Sequence, residues 1–236
     1  MSLYFWLMIG SIAGPFLLSF DKKVHFYTRW KALFPAIAIV AVCFIVWDQV
    51  FTQEGIWGFN PRYLSGIYLM DLPIEEVLFF FLVPYACVFI YEVLIAYFPK
   101  LDLTTVGKAL AFAITLAGLV FGSMHLDNWY TSSACILSAM LTIGIFFVQR
   151  VKWYGNFAFA FLIANIPFLI VNGVLTGAVT PEPIVWYSAE HIMGPRIITI
   201  PVEDVFYNYS MLLPIVWLYE RWKQLTRENG ELTREN

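Results

Sequence analysis

The chain has 236 residues, of which 60% are hydrophobic, 19% aromatic and 13% charged. A soluble domain carries about 25% charged residues because its surface faces water, so this composition excludes the soluble enzyme classes. The net charge of −3 provides no basic surface for nucleic acid, and we expect no nucleic-acid partner.

Seven apolar runs follow one another along the chain, each close to the ~20 residues that a membrane-crossing helix needs. None of them contains lysine or arginine. The first run has no basic residue before it and no small-residue cleavage site after it, which predicts an uncleaved span rather than a signal peptide. We therefore predict an all-α integral membrane protein with seven transmembrane helices. The runs occupy residues 3–20, 32–51, 73–98, 109–125, 130–148, 157–178 and 201–219.

The basic residues fall mainly on one side of the predicted membrane. Twelve of the fourteen follow helices 1, 3, 5 and 7, whereas Arg62 and Arg196 lie on the other side. The positive-inside rule then places the amino terminus outside and the carboxy terminus in the cytoplasm. We expect a multi-pass protein of the cytoplasmic membrane of a prokaryote.

An internal repeat relates the two halves of the chain. The segment 73–77, Pro-Ile-Glu-Glu-Val, recurs as Pro-Val-Glu-Asp-Val at 201–205, a shift of 128 residues that also maps Gly66 onto Gly194. Helices 1–3 thus correspond to helices 5–7, which predicts a parallel 3+1+3 repeat with its site between the halves. The predicted units are a first repeat (1–108), a linker helix 4 (109–128), a second repeat (129–222) and a disordered cytoplasmic tail (223–236).

Both copies of the repeated motif place two adjacent acids at the start of a helix. Such a pattern is also typical of an ordinary helix beginning, where proline and first-turn acids are favoured. Here, however, the acids directly precede apolar residues, and acids at membrane depth are costly enough to indicate function. Adjacent helical residues point about 100° apart, so one acid of each pair can face the bundle. The predicted catalytic residues are Glu75, Glu76, Glu203 and Asp204, with Glu75 and Glu203 ranked first because the two copies share them.

Other polar and aromatic residues near the acids are candidates for supporting roles. The arginines are natural partners for the carboxyls, and aromatic rings can stabilise a developing cation. Interhelical hydrogen bonding remains an alternative for the asparagines, and interfacial anchoring for the aromatics. The supporting candidates are Arg62, Arg196, Asp48, Asn165, Asn172, Phe79, Phe80 and Tyr207.

Two further acids, Glu92 and Glu220, belong to the opposite end of their helices. Each lies 19 residues beyond the proline of its repeat, or about 28 Å along a helix. We therefore exclude both from the site and interpret Glu220 as an interfacial anchor. His125 and His191 show no metal-ligand spacing, so we expect no metal.

The string Trp-Gly-Phe-Asn-Pro-Arg-Tyr at 57–63, followed by Leu-Pro-Ile-Glu-Glu at 72–76, closely resembles the non-flavin, membrane-integral lycopene cyclases. The segment 198–204 resembles the partner repeat of that family. Those enzymes occur as two small subunits or as one fused chain, and this chain is similar to the fused form over nearly all of residues 1–222. One departure is Asp204, which stands where the first copy has Glu76.

This resemblance implies cyclisation of the ends of a linear C40 carotenoid, lycopene, without net redox change. A carboxylic acid protonates the terminal double bond, the next double bond attacks the cation, and a carboxylate removes a ring proton to leave a β-ionone ring. The family's acidic motif falls on the four acids named above. The resemblance implies that the reaction needs no cofactor. It also implies that the protein is surrounded by membrane lipid and has other carotenoid-pathway enzymes as partners. The sequence has no glycine-rich dinucleotide-binding fingerprint, so it does not support a flavin-dependent enzyme.

Two rival classes of membrane protein differ in how well they fit. A retinal-binding protein needs a lysine within a helix, but all seven lysines lie outside or at the edges of the apolar runs. A small-molecule transporter with parallel 3+1+3 repeats remains open as an alternative. Such a transporter should place polar residues near mid-membrane on several helices, whereas here the acids gather at one end.

Overall fold

The computed structural model describes the backbone of residues 2–232 and the side chains of residues 2–225. Seven helices make up most of this part of the chain, and their number and order match the seven predicted apolar runs. Helix α5 continues as a wider π-helical turn over Ile143–Val148. The helices are α1 Leu3–Leu18, α2 Trp30–Gln53, α3 Ile74–Tyr97, α4 Thr104–Met124, α5 Trp129–Thr142, α6 Tyr154–Leu175 and α7 Glu203–Leu232.

Within residues 2–232, five helical segments are long and apolar enough to cross a membrane. The prediction of a helical membrane protein is confirmed for these five segments. Helix α1 is apolar but has only 16 residues. Helix α7 buries polar residues in its first two turns, among them Asn208 and Ser210, so its polar surface faces the bundle. The five segments are Phe26–Gln53, Ile74–Tyr97, Thr104–Met124, Trp129–Val148 and Tyr154–Leu175.

The segments that follow α2 and α6 contain short strands, although the prediction was entirely helical. Strand β1 (Trp57–Phe59) pairs with β4 (Val185–Tyr187) in antiparallel register, with Gly58 opposite Trp186. Strands β2 (Tyr68–Leu69) and β3 (Leu72–Pro73) form one hairpin, and β5 (Arg196–Ile197) and β6 (Ile200–Pro201) form another. We call this the hairpin end of the bundle.

The two hairpins follow the same backbone course at positions 128 residues apart. Gly66 and Gly194 have positive φ angles of 81° and 107°, a region that glycine adopts without steric cost. Met70 and Ile198 at the hairpin tips also have positive φ, 56° and 61°. Each hairpin leads within two residues into the helix that carries an acid pair, and it therefore sets where those acids lie.

Packing joins the helices across the two halves of the chain. Helix α1 packs on α3 and α5 packs on α7, while α2 contacts α7 and α6 contacts α3. Helix α4 lies against α5, where Gly118 faces the carbonyl of Cys135 and Gly122 faces Ile136. Small residues at such contacts let helix backbones approach closely in membranes. The hairpin-end turns of α3 and α7 are thus enclosed by α2 and α6.

An ionic cluster closes the opposite end of the bundle. Glu92 is buried and pairs with Arg29 at 2.5 Å and with Lys223 at 2.7 Å. The hydroxyl of Tyr219 donates to Glu92, and that of Tyr91 donates to Glu220. Both glutamates are therefore distant from the hairpin end, as expected, but they tie helices α2, α3 and α7 together rather than serving only as interfacial anchors.

Two of the predicted unit boundaries do not coincide with the ends of the observed helices. Helix α4 begins at Thr104, within the unit predicted as 1–108. Helix α7 extends to Leu232, into the tail that was predicted to be disordered from residue 223. Residues 233–236 of that tail lie outside the described residues.

Candidate active site

A cavity of about 460 Å³ lies at the hairpin end, between the first turns of α3 and α7 and the β1–β4 pair. Side chains from six helices and from strands β1 and β4 line it. Three of them are carboxyls, and most of the others are aromatic or apolar. The lining residues are Tyr4, Asp48, Trp57, Phe59, Glu76, Phe79, Tyr130, Phe168, Asn172, Leu175, Val185, Tyr187, Asp204 and Tyr207.

Glu76 reaches this cavity from the first turn of α3. Its side chain is half-buried, and its Oε2 atom accepts a hydrogen bond of 2.5 Å from the hydroxyl of Tyr4. Proline at position 73 and the acids that follow it favour a helix beginning here. The Glu76 carboxyl therefore points in a fixed direction, accepts a hydrogen bond from one neutral donor and is accessible from the cavity.

Asp204 reaches the cavity from the matching turn of α7 and is more fully held. It accepts hydrogen bonds from the hydroxyls of Tyr130 (2.5 Å) and Tyr187 (3.0 Å) and from the side-chain amide of Asn172 (2.6 Å). Hydrogen bonds donated to a carboxylate stabilise its ionised form. Burial, together with the adjacent charge of Asp204, raises the pKa of Tyr187 well above its usual value, so this phenol remains a donor at neutral pH.

Asp48 is the third carboxyl of the cavity and is buried on α2. One of its oxygens accepts a short hydrogen bond from the indole N–H of Trp57. The other, Oδ2, has no hydrogen-bond partner among the described residues. The cavity lining contains no lysine or arginine within this part of the chain. A cation inside the cavity would therefore meet carboxyl oxygens and no basic side chain of the described lining.

Glu75 and Glu203, which the repeat ranked first, do not line the cavity. Glu75 accepts hydrogen bonds from the hydroxyl of Ser2 and the backbone N–H of Ser65. Glu203 accepts the equivalent bonds from Thr131 and the N–H of Met193, both at 2.6 Å. Each glutamate thus fastens the loop before its hairpin to the first turn of its helix. The inward member of each acid pair is the second, because the two side chains diverge around the helix.

Aromatic rings form the walls around the three carboxyls. The ring of Tyr207 lies 6.0 Å from that of Trp57, and the ring of Trp57 lies 5.1 Å from that of Tyr130. Tyr130 and Tyr187 are stacked at 5.8 Å. Phe79 lines the cavity, whereas Phe80 packs behind it at 5.6 Å. These faces surround the space with π-electron density that attracts a cation.

Besides Phe80, three of the predicted supporting residues do not line the cavity, although Arg196 lies over the ring of Tyr187 at 6.0 Å. Arg62 is exposed and lies over the ring of Tyr63 at 5.8 Å. Arg196 donates to the carbonyl of Thr199 at 2.6 Å. Asn165 donates to the carbonyl of Phe161 within its own helix. Neither arginine pairs with the acids, because each is occupied within its own loop, and the ion pairs within the described residues lie at the opposite end.

Sequence reasoning missed the tyrosines that hold the acids. Tyr4 and Tyr130 both begin a helix and donate to the inward acid of their half. They are 126 residues apart rather than 128, so the repeat did not align them. Trp57 was present in the motif that carries the family resemblance, but it was not assigned a role. Tyr187 lies in a loop whose pairing with β1 only the fold reveals.

Comparison with known proteins identifies the family to which the chain belongs. The sequence model of the family described as lycopene cyclase matches residues 1–94 and 127–222. The chain belongs to the lycopene cyclase family. The two matched segments carry both acid pairs and omit the whole of α4. The resemblance drawn from the motifs is therefore confirmed.

The relatives are larger proteins from fungi. A bifunctional lycopene cyclase/phytoene synthase of Aspergillus niger is 22% identical over 170 residues, which are 67% of this chain and 27% of that protein. The protein of the same description from Phycomyces blakesleeanus is 40% identical over 75 residues, covering 31% of this chain and 12% of the relative. The chain thus matches about a quarter or less of the length of these relatives. No solved structure matches it significantly.

Proposed function

We propose that this protein is a lycopene cyclase that forms β-ionone rings at the ends of linear carotenoids by proton transfer. The observation that carries the proposal is the cavity itself. Two carboxyls that accept different numbers of hydrogen bonds line it, between aromatic side chains. A reaction that begins with protonation of a double bond needs a general acid, a general base and exclusion of water. Membership of the family supports the substrate class.

We assign the acid to Glu76 and the base to Asp204. Glu76 has one neutral donor, whereas Asp204 has three. Each donated hydrogen bond favours the ionised form of the acid that accepts it. Asp204 is therefore more readily ionised and suits the base, whereas Glu76 more readily keeps its proton and suits the acid. The other two acids each accept two hydrogen bonds on Oε1 from a loop N–H and a hydroxyl, and neither lines the cavity.

The reaction balances as an isomerisation. Glu76 protonates C2 of the terminal double bond and leaves a cation at C1. The C5=C6 double bond attacks C1, which forms the C1–C6 bond and moves the cation to C5. Asp204 removes the proton from C6 to close the new C5=C6 double bond. The enzyme gains one proton at Asp204 and loses one at Glu76, and proton return between them restores both groups.

The remaining groups of the cavity stabilise the cation between these steps. Asp48 presents its Oδ2 atom, which accepts no hydrogen bond from the described residues, to the developing cation. Trp57 and Tyr207 supply ring faces rather than a nucleophile that would trap the cation. Charges and dipoles fixed in advance at the position of a developing charge are a large source of catalysis.

We also infer the parallel 3+1+3 repeat. The two hairpins align at a shift of 128 residues, and Tyr91 and Tyr219 donate reciprocally to Glu220 and Glu92. The separate family matches on either side of α4 support the same division. The basic residues favour an external hairpin end and a cytoplasmic carboxy terminus.

The location and partners follow from the family at a coarser level. The five spans support a multi-pass membrane protein. The relatives are fungal, and they lend the prokaryotic membrane no support. Their names join lycopene cyclase and phytoene synthase, which supports our proposal that this chain works beside other carotenoid-pathway enzymes. The comparisons lend the transporter alternative no support.

The test is conversion of lycopene by the purified protein in detergent, without nicotinamide, flavin or added metal. We expect ring-containing products with unchanged molecular mass, separated by chromatography. The matched control is the double variant Glu76→Gln/Asp204→Asn, purified to the same folded yield. Absence of cyclised product from the folded parent protein, or an absolute requirement for reduced flavin, would contradict the proposal.

A further inference from the structure

An apolar groove continues the cavity along the bundle, between α3 and α6 and beside α1. Its volume is about 460 Å³, and it shares Phe79, Phe168 and Asn172 with the cavity. The two spaces therefore meet at one wall rather than lying in separate parts of the molecule. Apart from Asn172, Ser11 is the one polar residue of the groove lining, and its hydroxyl donates to the carbonyl of Met8.

Small side chains create this space. Ala86 of α3 and Ala164 of α6 face each other across the groove, with Val83 and Ile90 on the α3 side. Positions 79, 83, 86 and 90 of α3 follow the three- and four-residue spacing that places side chains on one helix face. One face of α3 thus runs from the acid at its start along the full length of the groove.

A second, smaller space extends the same path. It has a volume of about 230 Å³, shares Cys87 and Ala164 with the groove, and ends at Tyr91. From Glu76 to Tyr91 the helix rises about 22 Å. The groove and this smaller space therefore lie one after the other along α3, from the end with the acids towards the ionic cluster.

The groove is partly open at its side. Ala86, Ile90 and Val171 are half-buried rather than fully enclosed. In a membrane these side chains face hydrocarbon, so an apolar molecule can enter sideways from lipid without crossing water. The hairpin side of the cavity, by contrast, is covered by the β1–β4 pair.

We propose that this groove binds the unreacted polyene chain of the carotenoid while its terminal group occupies the cavity. This inference rests on the proposed function. A conjugated chain is straight and stiff, so it cannot fold back within the cavity and must leave it on one side. The groove begins at the wall that the cavity shares with it, and its lining matches a hydrocarbon. The groove therefore holds the chain in the direction that brings a terminal group to the acids.

The experiment measures carotenoid binding separately from cyclisation. In a Glu76→Gln background, lycopene binding is followed by the circular dichroism that the protein induces in the polyene absorption band. Ala86→Trp fills the groove, and Ala113→Trp is the matched control because Ala113 is exposed on α4. We expect Ala86→Trp to weaken binding by at least about tenfold, as for an overfilled site, and Ala113→Trp to leave it unchanged.

A second measurement separates a blocked groove from a damaged fold. With Glu76 intact, Ala86→Trp should still cyclise a short linear isoprenoid that has the same terminal group but no long polyene, while losing activity on lycopene. Unchanged lycopene binding in the folded Ala86→Trp variant would overturn the proposal that the groove binds the polyene chain. So would equal losses on short and long substrates. Binding through the groove without cyclisation by the parent protein would uphold this inference and reject the proposed function.

Discussion

The four acids at the start of α3 and α7 differ in their hydrogen-bond partners, and the partners separate their roles. Glu75 and Glu203 each accept a loop N–H and a hydroxyl from the start of a neighbouring helix. Glu76 and Asp204 face the cavity and accept hydrogen bonds from tyrosines. Residues adjacent in the chain therefore divide into one that binds a loop and one that faces the cavity.

We predict a corresponding division in mutant behaviour. Glu76→Gln and Asp204→Asn should each lower turnover by about 10²–10⁴-fold, the range for a positioned acid or base. Glu75→Gln and Glu203→Gln should instead lower stability by about 1–3 kcal/mol, because an amide replaces a buried hydrogen-bonded carboxylate. The measurement is cyclised product per folded enzyme together with thermal unfolding in detergent. Larger catalytic losses at Glu75 and Glu203 would return the assignment to the ranking by sequence.

The donors around Asp204 lead to a second prediction. Tyr187→Phe and Asn172→Ala each remove one hydrogen bond to a charged group, which is worth about 1.5–3 kcal/mol. We expect turnover to fall by about 10- to 100-fold in each. Tyr63→Phe is the matched control, because the Tyr63 hydroxyl has no hydrogen-bond partner within residues 2–225. Wild-type turnover in Tyr187→Phe and Asn172→Ala would show that Asp204 does not depend on these donors.

At the scale of elements, helix ends are held by different means at the two ends of the bundle. The hairpin end uses carboxylates that accept backbone N–H groups. The opposite end uses the Glu92 cluster, which joins the beginning of α2 to the last turns of α3 and to α7. This second device is distant from the cavity and should therefore affect stability without affecting chemistry.

Removal of the central charge of that cluster tests this division. Glu92→Gln would leave Arg29 and Lys223 without their shared counter-ion, and loss of one partner of a buried pair typically costs about 3–5 kcal/mol. We expect a lower free energy of unfolding and nearly unchanged turnover per folded enzyme. Glu54→Gln, at an exposed position, is the control. A stable variant with reduced turnover would place the cluster in the reaction instead.

For the whole molecule, the cavity lies where the two halves of the chain meet. Helix α2 and the start of α3 supply Asp48 and Glu76, and α6 and α7 supply Asn172 and Asp204. Neither half alone contains the complete set of lining residues. This arrangement agrees with the general placement of sites between repeats in membrane bundles.

The orientation of the whole bundle gives the last prediction. In a chain whose native cysteines are replaced by alanine, Leu126→Cys and Leu101→Cys place exposed thiols in the loops after and before α4. We expect a membrane-impermeant maleimide to label Leu126→Cys in intact cells and Leu101→Cys only after lysis. A reporter fused after Asn236 should remain cytoplasmic. The opposite labelling would place the cavity on the cytoplasmic side.

The sequence by itself determined the helical membrane fold, the number and order of the helices and the family. These features depend on local properties: apolar run length, the absence of charge within the runs, and motifs of contiguous residues. It also directed attention to the first turns of α3 and α7, which border the cavity, because two acids at the start of an apolar helix are costly wherever the helix packs.

Only the tertiary structure decided which acid of each pair faces the cavity and what holds it there. Tyr4, Tyr130 and Tyr187 are 72, 74 and 17 residues from the acids they contact, and no local pattern records such distances. The ranking of Glu75 and Glu203 relied on identity between the repeats, but a matching glutamate serves equally well to fasten two matching loops. Side-chain direction around a helix is set by what packs against it, and that packing exists only once both halves are assembled.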